Sequence, residues 1–147
     1  MATIKTVKAE AKLLEQFKIE GKIRDHVFYA DQPTQMGGTN VGPAPLEYMM
    51  FSLAACVVTV GQIMAKQQRI DLRGLEVNVE GEVDAEVFMG KSQDNRAGFI
   101  GIRVITKIDA DMTLEEKQQF LEELDRRCPV SDNLKQITPV SYVVVES

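Results

Sequence analysis

Two cysteines, Cys56 and Cys128, are the residues of this chain best suited to covalent chemistry. A cysteine thiolate that attacks a peroxide oxygen becomes a sulfenic acid, with which a second thiol condenses to form a disulfide. Two inert core residues satisfy the same sequence, because cysteine is among the most frequently buried residue types. Glu47 offers a carboxylate near the start of the segment that holds Cys56. An acid near a reactive thiol can hold an arginine, and the arginine in turn lowers the thiol pKa and grips a peroxide oxygen. The single histidine, His26, stands beside Arg24 and Asp25, so a His-rich metal site is excluded. Cys56 and His26 have the residue types of a thiol protease, but nothing in their spacing orients them together. No close cysteine pair supports a zinc site.

Cys56 must be positioned by the stretch from Gly37 to Lys66. Gly37 to Pro45 is rich in glycine and proline and reads as an irregular loop. The run from Leu46 has neither residue until Gly61, so it reads as a helix opened by a proline in its first turn. Almost every side chain from Leu46 to Met64 is apolar, whichever face it falls on, so the helix is expected to be buried on most sides. A sheet over one side and a partner subunit over the other would achieve that. Glu47 and Cys56 lie roughly 13.5 Å apart along such a helix and about 180° round it. They can share a site only if the carboxylate comes from the helix of a second subunit, packed antiparallel across a two-fold axis.

The remaining chain supplies sheet and one more helix. Val7 to Leu13 and Phe17 to Arg24 alternate apolar and polar residues, with a turn at Glu15-Gln16, and His26 to Ala30 is a third β-prone run. Asp71 to Gly74 turns the chain into the clearest strand, Leu75 to Val87. A polar loop from Gly90 to Gly98 returns it along Phe99 to Ile108 as a long hairpin. Thr113-Leu114-Glu115-Glu116 is a capping-box signature for a second helix, which Pro129 stops. Leu114, Leu121, Leu124 and Cys128 fall on one stripe of it. Val130 to Ile137 reads as a further helical turn and Val140 to Val145 as a last strand. The order β-β-β-α-β-β-α-β predicts an α+β domain with the first helix as its spine.

At 147 residues the chain fits one domain, 1–147, able to bury a sizeable core. A net charge of −5 with acidic and basic residues interleaved leaves no basic stripe for a phosphate backbone, so nucleic acid is not expected as a partner. Tyr48 to Val60, 13 nearly apolar residues, falls short of the roughly 20 that cross a bilayer, which favours a core helix over a membrane span. The amino terminus lacks the apolar core of a signal peptide. A cytoplasmic location, where thiols stay reduced, is the expectation.

Taken together, several segments resemble the OsmC/Ohr superfamily of small bacterial stress proteins, specifically its OsmC-like branch. They are Arg24-Asp25-His26, Asp31-Gln32-Pro33, Gly37-Gly38-Thr39-Asn40-Val41-Gly42-Pro43-Ala44-Pro45-Leu46-Glu47, Leu53-Ala54-Ala55-Cys56 and Cys128-Pro129-Val130-Ser131. The resemblance implies an intertwined homodimer in which two central helices cross between wrapped antiparallel sheets. It also implies thiol-dependent reduction of hydroperoxides, preferentially organic ones, without metal, flavin or other cofactor. Cys56 would be the peroxidatic thiol and Cys128 the resolving one, with the disulfide reopened by an external thiol or dithiol. Arg24 is then the candidate to stabilise the thiolate, and Glu47 the carboxylate that positions it. In the Ohr branch the glutamate directly follows the proline, whereas here Leu46 intervenes. Met49, Met50 and Phe51 are available to line a pocket. The rival readings are a binding protein for a small apolar or thiol-bearing metabolite and a structural dimer without a pocket.

Overall fold

A computed structural model describes residues 1–146. The chain divides into two compact units, Met1–Met49 and Met50–Ser147, with the boundary inside the first long helix.

The first unit is a three-stranded antiparallel sheet, β1 (Glu10–Glu15), β2 (Lys18–Ile23) and β3 (His26–Ala30), in that spatial order. β1 begins three residues later than the alternation from Val7 suggested. A strand's period fixes which residues share a face, whereas the turn fixes where pairing starts. Here Gln16 takes a positive φ of 49°, Glu15 pairs with Lys18, and the irregularity between Leu13 and Glu15 sets the register. Beyond β3, Asp31 organises the glycine-rich loop. Its buried carboxylate accepts from the amides of Gln32 (2.7 Å), Thr39 (3.2 Å) and Val41 (3.2 Å) and from the Thr39 hydroxyl (2.8 Å). Gly38 and Gly42 are required there, because a Cβ would stand 2.1 Å from the Gln32 carbonyl oxygen or 2.2 Å from that of Tyr29.

Asp31 gives this unit an acid-sensitive anchor. Burial alone would raise its pKa, but the donors from Gln32, Thr39 and Val41 outweigh it and hold the carboxyl below 3.8. Since the folded value is the lower one, this stabilisation is complete above about pH 4 and is lost as pH falls through the depressed value. Thermal melts between about pH 5 and pH 2 should show a loss of stability that Asp31→Asn largely removes. An equal acid dependence in both proteins would dismiss the anchor.

The second unit contains most of α1 (Pro45–Gln67), then β4 (Gly74–Glu82), the short α2 (Ala85–Phe88), β5 (Gly101–Asp109), α3 (Leu114–Arg127) and α4 (Pro129–Lys135). Pro45 opens α1 as expected, since a proline at the first position gives up no needed N–H. At the other end Arg69 adopts a left-handed φ of 56°, with Arg69 N–H on the Lys66 carbonyl (3.4 Å) and Ile70 N–H on that of Ala65 (2.8 Å). This is a Schellman stop with arginine in the place glycine usually takes.

β4 and β5 form a two-stranded antiparallel sheet in continuous register from Gly74↔Asp109 to Glu82↔Gly101. The hairpin is as anticipated, but the strand does not run on to Val87. Asp84 accepts from the Glu86 amide at 3.0 Å and caps α2 instead, because a short acidic side chain competes with the ladder for backbone donors. The capping box of α3 is present, with Glu116 N–H on Thr113 (3.1 Å) and Thr113 N–H on Glu116 (2.8 Å).

Leu53, Val57, Val60 and Met64 of α1 pack with Ile108, Phe120, Leu124 and Cys128 in one core. Two expectations are corrected here. Leu114, placed on the buried stripe, is exposed at the start of α3, and Phe120 takes the core position. Within this one chain α1 buries the face carrying Leu53, Val57, Val60 and Met64, while Met49, Phe51, Val58 and Ile63, on the sides for which a partner subunit was expected, are exposed. At 23 residues α1 is also long and apolar enough to cross a membrane by length and composition, with 33% of its most apolar stretch buried within this chain. The strand expected at Val140 to Val145 is absent from this chain's sheets, and its side chains are exposed. Strand propensity needs an edge to pair with, and no edge of the chain takes this segment.

Candidate functional site

Helix α1 and the α3–α4 corner bring Cys56 and Cys128 together. Both thiols are free; Cys56 is half-buried and Cys128 almost completely buried. Cys56 presents its side chain from a helix interior, beside the core face carrying Leu53 and Val57. Cys128 is the residue between α3 and α4, with φ −80° and ψ 109°, and Pro129 begins the next helix. A proline biases the residue before it away from helical geometry, so the sequence itself makes this break.

The electrostatics of the two sulfurs differ. Burial pushes the Cys128 thiol up. The Ser131 and Val130 amides pull the other way, while a hydrogen bond with Cys56 and any negative charge there push it up again.

A cavity of about 170 Å³ opens between α1, β5 and the α3–α4 corner, lined by residues close in sequence to the two cysteines but by neither cysteine itself. Leu53, Val57, Val104, Leu121 and Leu124 supply its apolar wall, and Asp125 and Ser131 its polar side. An apolar cavity of about 150 Å³ holds a benzene molecule, so a compact alkyl or aryl group fits here. Met49, Met50 and Phe51, expected as lining, are not part of it. The lining was readable in part, because Leu53 and Val57 sit one turn apart beside Cys56. A larger hollow of about 550 Å³ lies at the far end of α1 against α3. Several of its acids are already engaged, Glu116 in the α3 cap, Glu123 with Gln68 and Asp111 with Arg73.

The other two candidates lie in the first unit. Arg24 is exposed in the two-residue turn between β2 and β3, where it takes a positive φ of 54°. Glu47 is exposed in the first turn of α1, and its Oε1 accepts from the Ala44 amide at 2.8 Å. This bond caps the helix start, a role for Glu47 that sequence reasoning reached only as a favourable charge at the helix dipole. No ion pair joins Arg24 to Glu47 among the described residues. No cluster of His, Cys, Asp and Glu that could hold a metal occurs among them either.

The chain belongs to the OsmC-like protein family, whose model matches residues 37–143. An OsmC-like protein from Mycoplasma pneumoniae has the same fold, with a TM-score of 0.80 at 23% identity over 92% of this chain and 91% of that one. An organic hydroperoxide resistance protein from Elizabethkingia anophelis gives a TM-score of 0.67 at 22% identity over 93% of each chain. An OsmC organic hydroperoxide resistance protein from Legionella pneumophila gives 0.68 at 18% identity, covering 91% and 92%. No curated protein sequence matches the chain. The α+β class and the family resemblance read from the sequence are both confirmed.

Proposed function

We propose that this protein is a cysteine-dependent hydroperoxide reductase. The observation that carries the reading is the contact between Cys56 and Cys128, two thiols from distant parts of the chain, beside an apolar cavity. The Cys56 thiolate attacks the outer peroxide oxygen. The O–O bond breaks, Cys56 becomes a sulfenic acid, and the alkoxide leaves as the alcohol after taking a proton. Cys128 then attacks the Cys56 sulfur, forming the S–S bond and expelling the hydroxyl as water. An external thiol or dithiol reopens the disulfide and is itself oxidised. No metal or other cofactor takes part.

In this scheme Arg24 stabilises the Cys56 thiolate and Glu47 positions the arginine. The working form is a homodimer, which the exposed apolar side chains of α1 and the unpaired Tyr142 to Val145 segment support, and it works in the cytoplasm. Membrane and nucleic acid are not partners. Family relatives named for organic hydroperoxide resistance support an organic substrate.

Mass spectrometry of the reduced protein after one equivalent of cumene hydroperoxide or hydrogen peroxide, with free thiols alkylated, tests the cycle. The expected product is a Cys56–Cys128 disulfide, formed faster with the organic oxidant. Two alkylated thiols after excess peroxide would overturn the reading and favour a binding protein.

A further inference from the structure

We propose that Asp125, acting through Ser131, is a positioning residue that holds Cys128 for its attack on Cys56. This rests on the peroxidase reading and adds Asp125 and Ser131 to its working residues.

Cys128 needs such a device because neither neighbouring helix fixes it. Its backbone is extended, it follows the last turn of α3, and Pro129 prevents the two helices from fusing. Asp125 grips the corner from both sides. Its main-chain carbonyl accepts from the Cys128 N–H at 3.4 Å. Its carboxylate Oδ1 accepts from the Ser131 hydroxyl at 2.6 Å, and Oδ2 takes the Lys135 ammonium. Ser131 is buried three residues beyond Cys128, and the influence of its main-chain N–H on the thiol lowers the Cys128 pKa against the effect of burial. The chain from Asp125 to Ser131 is therefore closed into a loop with the reacting sulfur inside it. The titratable and charged groups facing this corner are Cys56 from α1, Asp125 from α3 and Lys135 from α4. The Lys135 bond, and then that of Ser131, lower the Asp125 pKa, so this carboxylate stays ionised through neutral pH.

The step served is the closing one: the Cys128 sulfur bonds to the Cys56 sulfur, the S–O bond breaks, and the thiol proton leaves with the hydroxyl as water. Removing the Ser131 hydroxyl frees its amide from this place, so the thiolate of Cys128 is harder to form and the attack is slower.

The test separates closing from the first oxidation. Rapid quenching after a hydroperoxide pulse, with sulfenic acid trapped by dimedone, gives both rates across pH. Ser131→Ala should close roughly tenfold more slowly, about what one hydrogen bond to a charged group is worth. Its pH profile should also move upward, and Ser131→Thr should restore both. A folded Ser131→Ala protein with parental closing rate and profile overturns the proposal. If Ser131→Ala does not fold, Asp125→Asn is read for the closing rate in the same way. If the parent never oxidises at Cys56, the peroxidase reading falls by itself. Positioning is then decided by thiolate absorbance near 240 nm in Cys56→Ser: an upward shift of the Cys128 midpoint on adding Ser131→Ala upholds it, and an unchanged midpoint refutes it.

Discussion

Cys56→Ser should leave a hydroperoxide essentially unconsumed, with turnover reduced at least about 10³-fold, the scale on which loss of a nucleophile is felt. Cys128→Ser should behave differently. It should consume one equivalent, stop at the Cys56 sulfenic acid and, with more oxidant, pass on to sulfinic acid. The asymmetry follows from the two environments. Cys128 is buried, and that burial holds it toward its protonated form, so it is a poor first nucleophile and a well-placed second one. Cys56 is nearer solvent. Stopped-flow consumption of cumene hydroperoxide by the two variants measures this directly. Equal loss in both would mean that the sulfurs act as one unit, and retention in Cys56→Ser would reverse the order of attack.

Leu124→Ala should cost about 2–5 kcal/mol of stability, the range for truncating a buried leucine. The upper part of that range is expected. Leu124 is 2% exposed and belongs to the core that contains Cys128, with Val57, Val60 and Phe120. It also lines the existing 170 Å³ cavity, so the space vacated joins a hollow that the neighbours have already failed to fill. Collapse is the one process that would soften the loss. Urea denaturation of the reduced protein at neutral pH gives the value. A cost below about 1 kcal/mol would show that α3 closes onto α1 when the side chain is removed. The same variant enlarges the cavity, so its relative rate with a bulkier organic hydroperoxide should rise while its stability falls.

The two results bear on different parts of the molecule. The first concerns charge and access at two sulfurs, the second the packing that keeps them together. Both depend on α1 and α3 meeting along one face, where Gly61 allows close approach: a Cβ there would stand 2.7 Å from Leu75 Cδ2 and 3.4 Å from Leu124 Cδ1.

Much of this was legible in the sequence because local physics sets it. Pro45 opens α1, the Thr113 and Glu116 box opens α3, Pro129 separates α3 from α4, and the alternation of Leu75, Val77 and Val79 gives β4 its inward face. Each signal acts within one turn or one strand period, so no distant contact can change it much. Cys56 and Cys128 stood out as chemically capable for the same reason, as residue types in apolar settings. The strand at Val140 to Val145 and the burial of Leu114 were misread because propensity and periodicity say what a segment suits, not whether a partner arrives.

Tertiary structure alone decided the rest. That the two thiols touch, that Cys128 is the more buried, and that Asp125, Ser131 and Lys135 close the corner around it depend on α3 folding back against α1. Glu47 became a helix cap through its bond to Ala44, and the cavity wall formed from Leu53, Val57, Val104, Leu121 and Leu124 instead of the methionines beside Phe51. The sequence by itself determined the elements, the α+β class and the pair of candidate thiols. The meeting of the sulfurs and the shape beside them came from packing between segments far apart in the chain, where the energy of each contact depends on every other.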